Sequence, residues 1–270
     1  MVKLVVIVCL LACSFPLQSK EIIIGVNQRD IYRMRSEEGI WTGLDIELIA
    51  AVFRRTPHTF KVIDMPWTRV LKSIETGSVD ITLAAVVAPE RENYAFFSQQ
   101  KFRYSHYTLF VIKNKLDLFQ SVTTLADLSK TNVIVGALRG AIYSDSYYSL
   151  LKNEAFSQRI AYIDNDQNMP NFALKGRVDA YIDSEIEGKA YLGKHPKYNN
   201  HIMPFLQITT VEEAKSYLMF SKKTLSKKIV EQFDEALKDL HNSGEYQQIT
   251  HKYSPIDKHL AIGGEKHRMH

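Results

Sequence analysis

The sequence predicts an α/β protein of two similar lobes, each a mostly parallel sheet flanked by helices, and two observations carry that expectation. The first is an internal echo: IETGSVDITLAA, starting at Ile74, and ALKGRVDAYIDS, starting at Ala173, share a Gly-x-Val-Asp unit ending in Asp80 and Asp179. Each unit follows an amphipathic run and precedes a short apolar one, the pattern of a helix, a glycine stop and a buried strand. The second is the alternation of strand-like and helical periods along the chain, which a parallel sheet with right-handed crossovers requires.

Taken in order, Glu21 to Val26 is a continuous apolar run and reads as the first strand. After Gly43, the residues Leu44, Leu48, Ile49, Val52 and Phe53 share one helical face, with Asp45 and Glu47 in the first turn, where the helix dipole favours acids. Thr59 to Ile63 is the next strand, Trp67 to Thr76 a helix with Val70, Leu71 and Ile74 inward, and Val79 to Leu83 a third strand. Tyr107 to Ile112 is a long apolar strand that leaves this lobe. A second series follows: strands at Val133 to Gly136, Arg159 to Ile163 and Val178 to Ile182, with helices at Ile142 to Leu151 and Gln167 to Lys175. Tyr217 to Phe220 returns as a strand, and a periodic helix turns Ile229, Val230, Phe233, Leu237 and Leu240 inward. A short helix from Glu245 to Lys252 follows Gly244. The chain thus leaves through residues 105–114 and comes back through 206–218, a two-strand hinge. Lobe 1 is expected over 20–110 and 212–260, lobe 2 over 111–211, and 261–270 as a flexible tail.

With 270 residues and 45% hydrophobic composition, the chain can bury a sizeable core. Lys3, an apolar run from Leu4 to Ala12, Pro16 and the small Ser19 make residues 1–19 a secretory signal peptide, too short for a membrane span, so the expected location is periplasmic. Cleavage near Ser19 is one route. The other is lipidation of Cys13, because Leu10-Leu11-Ala12-Cys13 loosely matches a lipobox. Cys9 and Cys13 both fall in this leader, which leaves the folded part without a thiol for a disulfide, a nucleophile or a thiolate metal site. The formal charge of +4 and pI near 8.8 come from scattered basic residues, and no nucleic-acid partner is expected. The histidines of the tail lack ligand spacing, and no metal or cofactor is expected.

A set of motifs in fixed order then gives the sequence a likeness. These are Gly43-Leu44-Asp45-Ile46 at a helix start, Pro66-Trp67 heading a helix, Gly77-x-Val79-Asp80, Pro89-Glu90-Arg91 followed by Phe97-Ser98, Arg139-Gly140 after a strand, and Gly176-Arg177-Val178-Asp179-Ala180 leading to Asp183. From about Glu21 to Tyr253 the chain resembles the family 3 extracellular solute-binding proteins, the bacterial amino-acid-binding type of the two-lobed periplasmic binding fold. The resemblance implies that Arg91 grips a ligand α-carboxylate with its planar fork of donors. It implies that Asp183 accepts from an α-ammonium, that Trp67 packs on the ligand, and that the Gly140 backbone approaches the carboxylate. Two hydroxyl residues usual in such proteins are replaced by Val86, Val87 and Ala88, and by Ala141. Arg69 and Arg139 are the available substitutes, and Tyr32 is a further candidate wall residue. Asp80 and Asp179 are expected to brace strands, and Tyr143, Tyr147 and Tyr148 to serve packing.

The expected function is a monomeric, exported binding protein that closes on an amino-acid-like or other carboxylated small molecule and delivers it to a membrane permease of an ABC-type transporter. Two alternatives stand beside it: a sensor module read by a membrane receptor, and a dehydratase-like enzyme using Glu185 or Glu90 as acid or base.

Overall fold

A computed structural model describes residues 19–253; the leader and the tail expected from the sequence lie outside the described residues. The first lobe opens with β1 (Glu21–Val26), a small hairpin of β2 (Met34–Arg35) and β3 (Trp41–Thr42), and α1 (Leu44–Phe53). It continues through β4 (Thr59–Asp64), α2 (Trp67–Thr76), β5 (Ile81–Ala85), α3 (Pro89–Glu92), β6 (Ala95–Phe97) and β7 (Arg103–Tyr104). The second lobe holds β8 (Tyr107–Ile112), β9 (Val135–Leu138), α4 (Asp145–Leu150), α5 (Glu154–Ser157) and β10 (Ile160–Ile163). It ends with α6 (Met169–Leu174), β11 (Ala180–Ser184), α7 (Glu185–Lys194), α8 (Pro196–Asn199) and β12 (Ile202–Gln207). The chain then returns as β13 (Lys215–Ser221), α9 (Lys227–Asn242) and α10 (Glu245–Lys252) to cover the first lobe.

The two sheets repeat one plan. The first runs β4-β1-β5-β13-β6 and the second β10-β9-β11-β8-β12, so in each the three strands of a βαβαβ series are parallel and a strand from the hinge joins antiparallel beside the third. The sheets are therefore mixed, with a parallel half, because a strand arriving from the other lobe enters from the opposite end.

The Gly-x-Val-Asp units do the same work in both lobes. Asp80 accepts from the Ile23 amide at 2.8 Å and pairs with Lys20 at 2.9 Å; Asp179 accepts from the Ile134 amide at 2.8 Å and pairs with Lys115 at 2.5 Å. Each aspartate thus ties the entry of its lobe's third strand to the first, and the glycine before it, Gly77 or Gly176, takes the positive φ that ends the preceding helix.

The lobes are joined by residues 105–106 and 208–214, cross-linked where the Ser105 amide donates to the Ala214 carbonyl at 2.6 Å and the Ile208 amide to the Tyr107 carbonyl at 3.0 Å. The lobe boundary expected after residue 110 falls inside β8. That strand is paired with β11 and β12 from Tyr107 onward, so its first residues belong to the second sheet. Three apolar clusters fill the molecule: one under α1, α9 and α10, one in the second lobe, and one that runs through both lobes and includes Trp67, Val70, Ala85, Leu138 and Ile163.

Candidate functional site

The site lies where the carboxyl ends of the parallel strands of both lobes face each other, the usual place for a ligand in open α/β sheets. From the first lobe, the loop after β1 folds back on itself through paired Arg29 and Arg33 backbones, with amide to carbonyl distances of 2.9 and 2.8 Å. It packs so closely on Gly43 that a Cβ there would lie 2.6 Å from the Tyr32 carbonyl oxygen. This closeness turns Asn27, Arg29, Tyr32 and Arg33 into the cleft. The β5 end slips register against β13, and Ala84 takes φ 55, which swings Ala84 to Val86 toward the same space. Pro89 at the first turn of α3 starts the short helix that presents Arg91. From the second lobe come Leu138, Ala141 and Tyr143 after β9, Asp183 and Ser184 at the end of β11, and Glu187 on α7. The space left between these side chains is about 60 Å³, well below the roughly 300–1,000 Å³ usual for a small-molecule pocket, so the two lobes stand close together here.

Arg91 is 3% exposed, and its two terminal nitrogens donate to the Val86 carbonyl at 2.8 Å and, across the cleft, to the Gly140 carbonyl at 2.7 Å. Both of these bonds end on neutral oxygens, and burial pulls the guanidinium below its ordinary pKa. Trp67 is also buried and donates its indole N–H to the same Gly140 oxygen at 3.0 Å. Tyr32 shares a 3.0 Å hydrogen bond with Ser184 across the lobes, and burial pushes its hydroxyl up to about 12. Asp183 accepts from the Ser184 amide at 2.7 Å and is held by Arg29 of the other lobe at 2.5 Å. Arg29 also grips Glu187, its Nε lying 2.6 Å from that carboxylate. Burial pushes Glu187 up to about 8 although Arg29 pulls it down.

Behind this wall sits a buried ionic cluster. Asp45 has no exposed surface and takes Arg103 on both oxygens, at 2.5 and 3.3 Å, and Arg33 at 3.3 Å. The Arg103 guanidinium carbon lies over the Tyr32 ring, 3.7 Å from its centre. Asp45 is therefore far more than the helix-dipole acid its position in α1 suggests.

The structure brings Arg91, Asp183, Trp67 and Tyr32 together around the cavity. Gly140 stands at its rim, and contributes a carbonyl oxygen to Arg91 and Trp67 in place of the expected amide. Two residues proposed from the sequence are corrected. Arg69 is exposed on α2 and does not line the cavity, and Arg139 points outward to Asp164 at 2.6 Å and stacks on Tyr162. Position explains both: Arg69 is one residue from the inward Val70 on an amphipathic helix, and Arg139 follows the last residue of β9 on the solvent side. The acids considered for catalysis also lie outside the cavity. Glu185 pairs with Lys189 along α7, and Glu90 accepts from Tyr148 at 2.6 Å on the surface. The sequence reading missed Arg29, Arg33, Arg103 and Glu187, all of which line the cleft.

Residues 22–256 match the bacterial extracellular solute-binding proteins, family 3. The chain belongs to this family. Among curated relatives, the arginine-binding extracellular protein ArtP of Bacillus subtilis (strain 168) is 24% identical over 221 residues, covering 80% of this chain and 79% of that protein. The L-cystine-binding protein TcyK of the same organism is 28% identical over 230 residues, covering 80% of this chain and 77% of the relative. Among solved structures, an ancestral arginine-binding protein bound to arginine superposes with a TM-score of 0.71 at 19% identity, over 86% of this chain and 97% of that one. The two-lobed periplasmic-binding-protein fold is thus this chain's fold, and solute binding is its family's activity.

Proposed function

We propose that this protein is an exported, periplasmic solute-binding component that closes its two lobes on a small carboxylated ligand and presents it to the membrane permease of an ABC-type transporter. The observation that carries the reading is Arg91, a buried guanidinium aimed into an interlobe cavity and satisfied there by carbonyl oxygens. Such a cation gains most from an anion, because a desolvated guanidinium and carboxylate form short, strong, paired hydrogen bonds. The names of the relatives, which bind amino acids, support an amino-acid-like ligand. The approach of the two lobes is braced by Arg29, Tyr32, Trp67 and Arg91, each of which bonds to the other lobe across the cleft. Binding without turnover fits the outward placement of Glu185 and Glu90. The protein acts as a monomer in this reading.

A thermal-shift screen of the purified protein against amino acids, amines and small carboxylates tests it. A ligand at a hundred times its dissociation constant stabilises the folded state by about 2.7 kcal/mol, worth roughly 5–11 °C in a domain of this size. A clear shift from a carboxylate is the expected result. No shift from any compound rejects the reading, and conversion of the bound compound to product replaces it with the enzymatic one.

A further inference from the structure

The charge balance of the cleft narrows the ligand class. Four arginines, Arg29, Arg33, Arg91 and Arg103, line the cavity, against two carboxylates, Asp183 and Glu187, with Asp45 directly behind. Among the described residues, cations therefore outnumber anions even with every carboxylate ionised. They are also unequally served. Asp45 is shared by Arg33 and Arg103, Arg91 ends on carbonyl oxygens, and the buried Nε of Arg33 has no hydrogen-bond partner among the described residues. The surplus in this wall is positive charge with donors to spare, the complement of a ligand rich in carboxylate oxygens.

The position of Arg29 closes the opposite possibility. It holds Asp183, the acid that the family resemblance assigns to a ligand ammonium, and Glu187 beside it. A ligand ammonium approaching Asp183 would lie against the Arg29 guanidinium, a like charge in a desolvated setting. Arg29, Asp183 and Glu187 also form the partition between the main cavity and a second hollow lined by Asp30, Tyr191 and His195. A long cationic side chain would have to enter that hollow through the space the Arg29 side chain fills.

On the solute-binding reading above, we infer that this cleft selects a compact, net-anionic solute, a dicarboxylate or an acidic amino acid whose ammonium is turned away from Asp183, and that Arg29 is the residue that excludes cationic side chains. Arg91 and Arg33 then receive carboxylates at one end, and Arg29 acts as a built-in cation in the place a basic ligand would occupy.

Calorimetric titration of the wild-type protein with succinate, L-aspartate, L-glutamate, L-glutamine, L-lysine and L-arginine is the test, repeated with Arg29→Gln. At least one of the first three is expected to bind at least about 30-fold more tightly than any of the last three. In Arg29→Gln that preference is expected to fall at least tenfold, with lysine or arginine gaining affinity. If glutamine, lysine or arginine binds the wild type as tightly as the acids, the inference is overturned while the solute-binding reading stands. If nothing in the panel binds, the inference is overturned, and the broader thermal-shift screen decides the solute-binding reading separately. An anionic preference that survives unchanged in Arg29→Gln overturns the role given to Arg29.

Discussion

Replacing Asp45 by alanine tests the ionic cluster that underlies the cleft. The carboxylate is fully buried between Arg33 and Arg103, which are 5% and 4% exposed, and bonds to both. Its removal leaves two guanidinium groups desolvated, close together and without a counter-charge. Breaking a buried pair from one side costs about 3–5 kcal/mol. In a chain of this size each kcal/mol shifts the melting temperature by about 2–4 °C, so Asp45→Ala is expected to melt roughly 6–20 °C lower. The triple variant Asp45→Leu, Arg33→Met, Arg103→Met removes all three charges at once and is expected to melt above Asp45→Ala, since no charge is then stranded. Thermal and urea denaturation of the ligand-free proteins measure both. A drop of less than about 3 °C for Asp45→Ala, or a triple variant no better than the single one, would refute the reasoning.

Other consequences follow from the same geometry. Because burial holds Glu187 near 8 against an ordinary 4.5, the folded protein keeps a proton that the unfolded chain sheds. The associated stability is full below about pH 4.5 and is lost as pH rises through 8, with a slope of up to about 1.4 kcal/mol per unit that urea titrations across pH should find reduced in Glu187→Gln. Asp80→Ala and Asp179→Ala each leave a backbone amide and a lysine without their carboxylate partner, and are expected to cost about 1–3 kcal/mol in denaturation while leaving ligand affinity within about twofold, since neither residue lines the cavity. Trp67→Phe removes the indole donor to Gly140 but keeps the ring, so titration should show affinity weakened by about 0.5–1.5 kcal/mol.

How much was legible in the sequence depends on which physical signal each element carries. The elements with strong periodicity, such as β1, α2, β8 and α9, fall where apolar spacing puts them. The Gly-x-Val-Asp repeat foretold the two sheets because glycine stops and apolar runs are local signals. The strand β12 went unread: it is an edge strand interrupted by Pro204 and a bulge, and its burial alternates weakly. The site was legible only where a motif marked it. Arg91 and Asp183 sit in recurring contexts, whereas Arg29 lies in the charged, aperiodic run Gln28-Arg29-Asp30, which reads as a solvated loop until the fold brings Asp183 and Glu187 to it. Glu185 and Glu187 differ by two positions on α7, enough to put one on solvent with Lys189 and the other in the cleft, and no local cue says which. Arg33, Arg103 and Asp45 are far apart in sequence, so their cluster is a property of the fold.

The most direct test of the claim that a small carboxylate is enclosed on Arg91 is calorimetric titration of the wild type, Arg91→Ala and Arg69→Ala with one carboxylate that binds the wild type. Loss of the buried guanidinium is expected to weaken binding by about 2–5 kcal/mol, roughly 30- to 4,000-fold, while Arg69→Ala, an exposed change outside the cavity, stays within about twofold. Unchanged affinity in Arg91→Ala would contradict the assignment of the cleft as the carboxylate site.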